Sequence, residues 1–174
     1  MTASGTVNIR YYKTPMGEVI LGSFDNKLCL LDWRYRRMRD AVDKRIKKGL
    51  AAEFVESDDE LIEQTIEQLD EYLRADRSQF DIPLLMVGTD FQKSVWGALL
   101  EIPYGITSSY QQLAISLDNK KAVRAVASAN GANGISIIIP WISTETEFLI
   151  IRQVIRVRIS FPRVCAEIVF LFIG

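Results

Sequence analysis

Histidine is absent from this chain of 174 residues, and cysteine occurs only as Cys29 and Cys165. The two cysteines lie far apart, without the close spacing of metal-binding pairs, so a zinc site is excluded. Without histidine, a Ser-His-Asp or Cys-His nucleophile system is excluded as well. Cys29 falls within a predicted strand, which favours a small buried hydrophobe over a reactive thiol. We expect no cofactor.

A strong charge of either sign is also missing, because the formal net charge is -1. Any contact with nucleic acid must therefore come from a local basic patch. No apolar run with a cleavage site opens the chain, which predicts a cytoplasmic protein. The apolar run from Phe148 to Gly174 is interrupted by charged residues, so no membrane span is expected. These residues are Arg152, Arg156, Arg158, Arg163 and Glu167.

The first part of the chain has the alternation of β-strands. Val7 to Tyr12, Val19 to Phe24 and Leu28 to Trp33 are each apolar and β-prone. The turn sequences Thr14 to Gly17 and Asp25-Asn26 separate them. This order predicts an antiparallel meander of three strands.

A basic segment follows, from Arg34 to Lys48. It fits either a phosphate-facing patch or a solvated helix offset by the acidic residues after it, and we favour the solvated helix. Ser57 precedes a predicted helix that runs to about Leu73, with an apolar face that packs on the sheet. The polar stretch Asp76 to Pro83 predicts a linker, which divides the chain into domains 1–83 and 84–174.

The second half has the spacing of three helices, predicted at Phe91 to Leu100, Tyr110 to Leu117 and Lys120 to Asn130. Thr107 and Ser108 offer oxygens that could cap the second of them. Two short helices joined by a tight polar turn predict a helix-turn-helix, whose second helix docks on DNA.

That second helix combines small side chains with one long cation, Arg124. Small side chains permit close approach to another helix or to a DNA groove. The planar guanidinium can stack on bases or donate hydrogen bonds to them, and packing alone does not explain it.

Six short motifs occur within about fifty consecutive residues. They are Phe91-Gln92-x-x-Val95-Trp96, Ile102-Pro103-Tyr104-Gly105, Ser109-Tyr110-Gln111-Gln112-Leu113-Ala114, Ala122-Val123-Arg124-Ala125-Val126, Ala129-Asn130-Gly131, and Asn133 followed by Ile137-Ile138-Ile139-Pro140. Together they resemble the O6-alkylguanine-DNA alkyltransferases, the methylated-DNA–protein-cysteine methyltransferases. The resemblance implies an α/β fold with an N-terminal antiparallel sheet and helices (RNase H-like). It implies a C-terminal helix-turn-helix (winged-helix-like) DNA-binding domain.

The resemblance also implies DNA repair on duplex DNA that contains O6-alkylguanine. The damaged base is flipped out of the duplex, and a cysteine thiolate takes its alkyl group. In this comparison Arg124 fills the vacated place in the base stack, Tyr110 helps to rotate the nucleotide, and Asn133 holds the active-site turn. The implied DNA-binding residues are Tyr110, Gln111, Ala122, Arg124, Ser128 and Ala129. The implied lesion pocket comprises Tyr110, Ile139, Pro140 and Trp141. We expect a monomer.

The chain departs from the family pattern after Pro140. The family has Pro-Cys-His-Arg there, whereas this chain continues Trp141-Ile142-Ser143. The missing cysteine is the alkyl acceptor, and the missing histidine is the base that activates it. Tyr110 and Asn133 remain as supporting residues, but no catalytic set is intact. Methyl transfer is therefore expected to be lost, and enzyme status is open.

Three explanations remain for this departure. Residues 142 to 173 contain no glycine, and no lysine follows Lys121, so a shifted reading frame or an altered sequence after Pro140 is one explanation. The resemblance offers a second, a natural alkyltransferase-like lesion sensor with tryptophan in place of the cysteine. The third is a helix-turn-helix transcription regulator, although Ala122 to Ala129 has few base-reading side chains.

Overall fold

The chain folds into an α/β structure, as the sequence predicts. The computed structural model describes residues 5–103, 106–139, 141–143 and 149–151. Its elements are β1 (Gly5–Thr14), β2 (Gly17–Phe24), β3 (Lys27–Trp33), α1 (Arg39–Leu50), β4 (Ala52–Glu56), α2 (Glu60–Leu73), α3 (Asp90–Leu100), β5 (Thr107–Ser108), α4 (Tyr110–Ser116), α5 (Val123–Gly131), β6 (Trp141–Ser143) and β7 (Leu149–Ile151). No helix within these ranges is long and apolar enough to cross a bilayer.

The main sheet has the strand order β3-β2-β1-β4. The pairs β1–β2 and β2–β3 are antiparallel, which confirms the predicted meander. The fourth strand, β4, is parallel to β1 and pairs Val7 with Phe54. The sequence did not predict β4, because only Ala52 in it is buried and the rest lacks a regular apolar alternation. The left-handed conformation of Ala51 (φ 47°) ends α1 and turns the chain into this edge strand.

The favoured prediction of a solvated helix from Arg34 to Lys48 is wrong for two of its arginines. Arg36 and Arg39 are each only 8% exposed, and both form ion pairs with the fully buried Asp32. A buried charge is tolerated when it is paired and hydrogen-bonded, and here the cations meet that condition. The basic segment is thus partly buried.

Helix α2 packs its apolar face against the sheet, as predicted. Ile62, Ile66 and Leu69 are buried, and Leu73 is partly buried at the same core. The N-cap is Asp59 and not Ser57, since the Asp59 carboxylate accepts a hydrogen bond from the Ile62 N–H at 3.1 Å. The same carboxylate also accepts hydrogen bonds from Asn8 and Ser23 of the sheet. Asp59 therefore joins the helix start to two strands.

The second half is a helical unit. The cap of α4 is Ser109, not Thr107 or Ser108, and Ser109 forms a reciprocal capping box with Gln112. Helix α5 begins at Val123, three residues later than the predicted Lys120. It packs against α3 and α4, and the Trp96 indole Nε1 donates to the Ala129 carbonyl at 2.8 Å.

A small second sheet has the order β5-β7-β6. Strand β7 is antiparallel to β5, with Ser108 opposite Ile150, and antiparallel to β6, with Ile142 opposite Ile150. The sequence from Phe148 to Phe172 is rich in β-branched residues, which predicts strand character. Leu149–Ile151 confirms this for three residues, and the others lie outside the described part.

Replacing Asp59 with alanine should lower the free energy of unfolding by about 1–2 kcal/mol at neutral pH, because it removes a helix N-cap. Burial opposes ionisation of this carboxyl, but hydrogen bonds from Ser23 and Asn8 outweigh it and lower its pKa. A lowered native pKa stabilises the fold above the unfolded value of about 3.9. That contribution is lost as pH falls through the native pKa. Urea unfolding should therefore show the two proteins converging in acid.

The matched control is Asp58→Ala, since Asp58 is the exposed neighbour of Asp59. It should change the free energy of unfolding by less than about 0.5 kcal/mol. Equal stability of the Asp59→Ala protein and the unchanged protein at neutral pH would contradict the role given to this cap.

Candidate functional site

The turn that follows α5 is organised by the buried side chain of Asn133. Its Oδ1 accepts a hydrogen bond from the Ile135 N–H at 2.8 Å, and its Nδ2 donates to the Ile139 carbonyl at 3.2 Å. An asparagine suits this place because its amide imitates the backbone in tight turns. One side chain thus fixes both ends of the segment 133–139, which leads towards residue 141.

This segment is docked on the edge of the main sheet. The Leu31 N–H donates to the Gly134 carbonyl at 2.8 Å, and the Ser136 N–H donates to the Leu31 carbonyl at 2.7 Å. These bonds form a parallel bridge between Leu31 and Ile135. A Cβ atom on Gly134 would lie 3.0 Å from a Val42 methyl group. Glycine therefore allows α1 to approach the segment closely.

Arg36 joins the same segment to the N-terminal half. Its guanidinium donates to the Asn133 carbonyl at 2.8 Å, to the Gly131 carbonyl, and to the Asp32 carboxylate at 2.9 Å. The Ser136 hydroxyl donates to the other Asp32 oxygen at 2.7 Å. The carbonyls at a helix C-terminus carry partial negative charge, so a cation there is favourable.

Arg45 of α1 also donates a hydrogen bond to a carbonyl group at this turn. It donates to the Ala132 carbonyl and, at 2.9 Å, to the Val87 carbonyl. Sequence reasoning missed both Arg36 and Arg45 as contacts of the turn, because their partners are backbone oxygens about ninety residues away. The available signal was Asp32, a carboxylate within an apolar strand, which requires buried cations nearby.

Tyr110 lies at the first position of α4 and is 7% exposed. Its hydroxyl oxygen accepts a hydrogen bond from the Asn130 Nδ2 at 3.3 Å. Burial raises the pKa of the Tyr110 phenol, and the bond from Asn130 opposes that shift only in part. The phenol is therefore protonated at neutral pH and can act as a donor.

The predicted DNA-binding residues fall into two groups. Gln111, Arg124 and Ser128 are exposed, and the last two lie one turn apart on one face of α5. Tyr110, Ala122 and Ala129 are buried, so their side chains pack in the core. Lys120 and Lys121 are exposed in the turn before α5. Arg124, Lys120 and Lys121 thus give α5 and the turn before it three exposed positive charges, although the net charge of the chain is -1.

The predicted lesion pocket is described only in part. Ile139 is fully buried, and Tyr110 lies at the start of a neighbouring helix. Pro140 lies outside the described residues, and Trp141 is described as the first residue of β6. The assembly of these residues into one pocket stays a prediction.

Cys29 has the properties of the predicted buried hydrophobe. Its side chain is 2% exposed, and its thiol donates to the Gly22 carbonyl at 3.4 Å. Burial raises the pKa of the Cys29 thiol to about 12. At neutral pH the thiol is therefore protonated and is not in the reactive thiolate form. Cys165 lies outside the described part of the chain.

Two family models match this sequence. Residues 7–86 match the 6-O-methylguanine DNA methyltransferase, ribonuclease-like domain, and residues 90–142 match the DNA binding domain of the same family. Both domain types agree with the fold class expected from the sequence.

Individual relatives agree with these models. The methylated-DNA–protein-cysteine methyltransferase of Methanosarcina barkeri is 38% identical over 128 residues, which cover 74% of this chain and 75% of the relative. The constitutive enzyme of Bacillus subtilis is 34% identical over 135 residues, covering 76% and 78%. The structure of Mycobacterium tuberculosis OGT in complex with DNA is 31% identical and covers 82% of both chains, with a TM-score of 0.68.

Asn133→Ala should lower the free energy of unfolding by about 1–3 kcal/mol, because it leaves the Ile135 N–H and the Ile139 carbonyl buried without this partner. Chemical denaturation monitored by circular dichroism measures the change. Asn119→Ala, at an exposed asparagine in the preceding turn, is the control and should stay within about 0.5 kcal/mol. Equal changes in the free energy of unfolding at the two positions would contradict the role of Asn133 in holding the turn.

Proposed function

Because this chain belongs to the 6-O-methylguanine DNA methyltransferase family, we propose that it acts in DNA repair by binding duplex DNA that carries O6-alkylguanine. In this proposal the flipped base is held without transfer of its alkyl group. One contrast carries the proposal: the Asn133 side chain is hydrogen-bonded to both Ile135 and Ile139, yet tryptophan stands at position 141. Placement of the base is retained, and the acceptor is not.

The proposed DNA contact is the exposed face of α5. Arg124 and Ser128 project from this face, and Lys120 and Lys121 precede it. Lysine and arginine bind phosphates without regard to sequence, which gives a repair protein access to any site. Arg124 enters the base stack where the flipped guanine has left it. Gln111 at the start of α4 contacts the adjacent backbone.

Tyr110 and Asn133 serve the flipped base in different ways. The protonated Tyr110 phenol donates towards the guanine, and the bond from Asn130 holds its oxygen in place. Asn133 fixes the turn segment that leads to the pocket residues Ile139, Pro140 and Trp141. The role of Asn133 is thus positional.

Loss of transfer follows from the available nucleophiles. Alkyl transfer from O6 requires a thiolate at the pocket, and Trp141 provides an indole, which has no comparable nucleophile. Cys29 is enclosed and its pKa is raised to about 12, so it does not replace the missing thiolate. Binding is the activity that these residues support.

A natural lesion sensor and a chain altered after Pro140 both fit this proposal, since both lack the acceptor. A helix-turn-helix transcription regulator fits less well, because the exposed side chains of α5 include Arg124, Ala125 and Ser128 and offer few donors and acceptors for base edges. We propose domains 1–83 and 84–174, a monomer, and action in the cytoplasm, where a free thiol such as Cys29 remains reduced.

Incubation with duplex DNA containing O6-methylguanine should leave the mass of the intact protein unchanged. The reason is that no thiolate stands at position 141. Intact-protein mass spectrometry measures this, with an active family member as the positive control. A gain of one methyl group per chain, located on a cysteine by peptide mapping, would refute the loss of transfer.

Lesion binding should depend on Arg124 in a way that charge alone does not explain. The unchanged protein should bind duplex containing O6-methylguanine more tightly than undamaged duplex. Arg124→Ala should reduce that preference, because one base-stacking contact contributes about 1–3 kcal/mol. Fluorescence anisotropy with both duplexes measures the ratio of dissociation constants.

Two further variants distinguish insertion of Arg124 into the base stack from the attraction of its charge to phosphates. Arg124→Lys keeps the charge but not the planar group, so it should also lose the preference. Lys121→Ala should weaken binding to both duplexes to a similar extent and leave the ratio unchanged. A protein that binds both duplexes equally before any substitution would overturn the proposed lesion recognition.

A further inference from the structure

Arg36 occupies an unusual place between the two halves. Its guanidinium contacts the Asp32 carboxylate, the Gly131 carbonyl at the end of α5, and the Asn133 carbonyl within the turn. It also lies 3.4 Å from the Ser136 hydroxyl. One buried group therefore joins the last residue of the DNA-binding helix to the segment that leads to the pocket.

The planar form of the guanidinium matters for this arrangement. It presents five N–H donors in fixed directions, so it can hold several oxygens in one geometry. A lysine ammonium is a single point of charge on a flexible stem. Lysine at position 36 could keep an ion pair with Asp32 but could not hold both backbone carbonyls in the same way.

Arg39 provides an internal comparison. It is as buried as Arg36 and donates to the same Asp32 oxygen at 2.8 Å. Arg39 also donates a hydrogen bond to Asp43 of α1, within the N-terminal half. Both arginines are buried and both bind the Asp32 carboxylate. Arg36 also binds carbonyl groups of the turn after α5.

We propose that Arg36 is a positioning residue for lesion recognition, acting through the turn Gly131 to Ser136. By holding the Gly131 and Asn133 carbonyls together, Arg36 sets the distance and angle between α5 on the DNA and the segment 133–139 that leads to the flipped base. This inference rests on the proposed lesion binding. Arg36 touches neither DNA nor base, so its loss affects the preference for damaged duplex and not the general affinity for DNA.

The experiment compares Arg36→Lys with Arg39→Lys in the full chain, at a temperature well below both unfolding midpoints. Arg36→Lys should lose about tenfold of the preference for O6-methylguanine duplex, as expected for one hydrogen bond to a charged group. Its affinity for undamaged duplex should stay within about twofold of the unchanged protein, because the Arg124 face is intact. Arg39→Lys should keep the preference.

Hydrogen exchange provides a second measurement that needs no DNA. The amides of Ile135 and Ile139 are bonded within the turn, to Asn133 and to Ile135 respectively. They should exchange about tenfold faster in Arg36→Lys than in Arg39→Lys, because only the first substitution loosens the turn. If Arg36→Lys does not fold, Arg36→Gln takes its place, since Asp32 then keeps its pairing with Arg39.

The two measurements distinguish the possible failures. Equal exchange in the two variants, or loss of the preference in both, would overturn the role of Arg36. If the unchanged protein shows no preference for damaged duplex, the proposed function fails, and the exchange rates alone then decide whether Arg36 holds the turn. Unequal exchange combined with an unchanged preference in Arg36→Lys would also overturn the inference.

Discussion

A carboxylate removed from water destabilises a protein unless cations and donors surround it, and Asp32 is fully buried at the end of β3. Arg36, Arg39 and the Ser136 hydroxyl all donate to it. Satisfying this single charge requires groups from the turn after β3, from the start of α1 and from the segment after α5. The two halves of the chain are therefore held in one relative position by an electrostatic requirement as well as by apolar packing.

The proposed function separates two steps of the family's chemistry, the placement of a base and the attack on its alkyl group. In this proposal, placement depends on hydrogen bonds that are distributed over several elements, including those of Asn133 and Tyr110. Attack depends on one sulfur atom at one position. A change after Pro140 would therefore remove the reaction and leave the contacts of residues 131–139 in place.

Alternating apolar residues and clear turn sequences were enough to predict β1, β2 and β3, and helical spacing was enough for α2 and α3. The edge strand β4 could not be predicted, because its pairing with β1 depends on backbone hydrogen bonds and not on an apolar face. At the site, family motifs indicated Tyr110, Arg124 and Asn133. The sequence predicts Arg36 in a solvated helix, because two of its partners are main-chain oxygens, which do not appear in side-chain patterns.

The contact of Arg36 with main-chain carbonyls has a consequence for how such proteins can be recombined. A backbone oxygen is present whatever residue stands at position 131 or 133, so sequence drift in the turn does not abolish this contact. Asp32, Arg36 and Ser136 are different, because each depends on the side chains of the others. A chimera that joined the first half of this chain to the DNA-binding half of a relative would need a compatible residue at position 136.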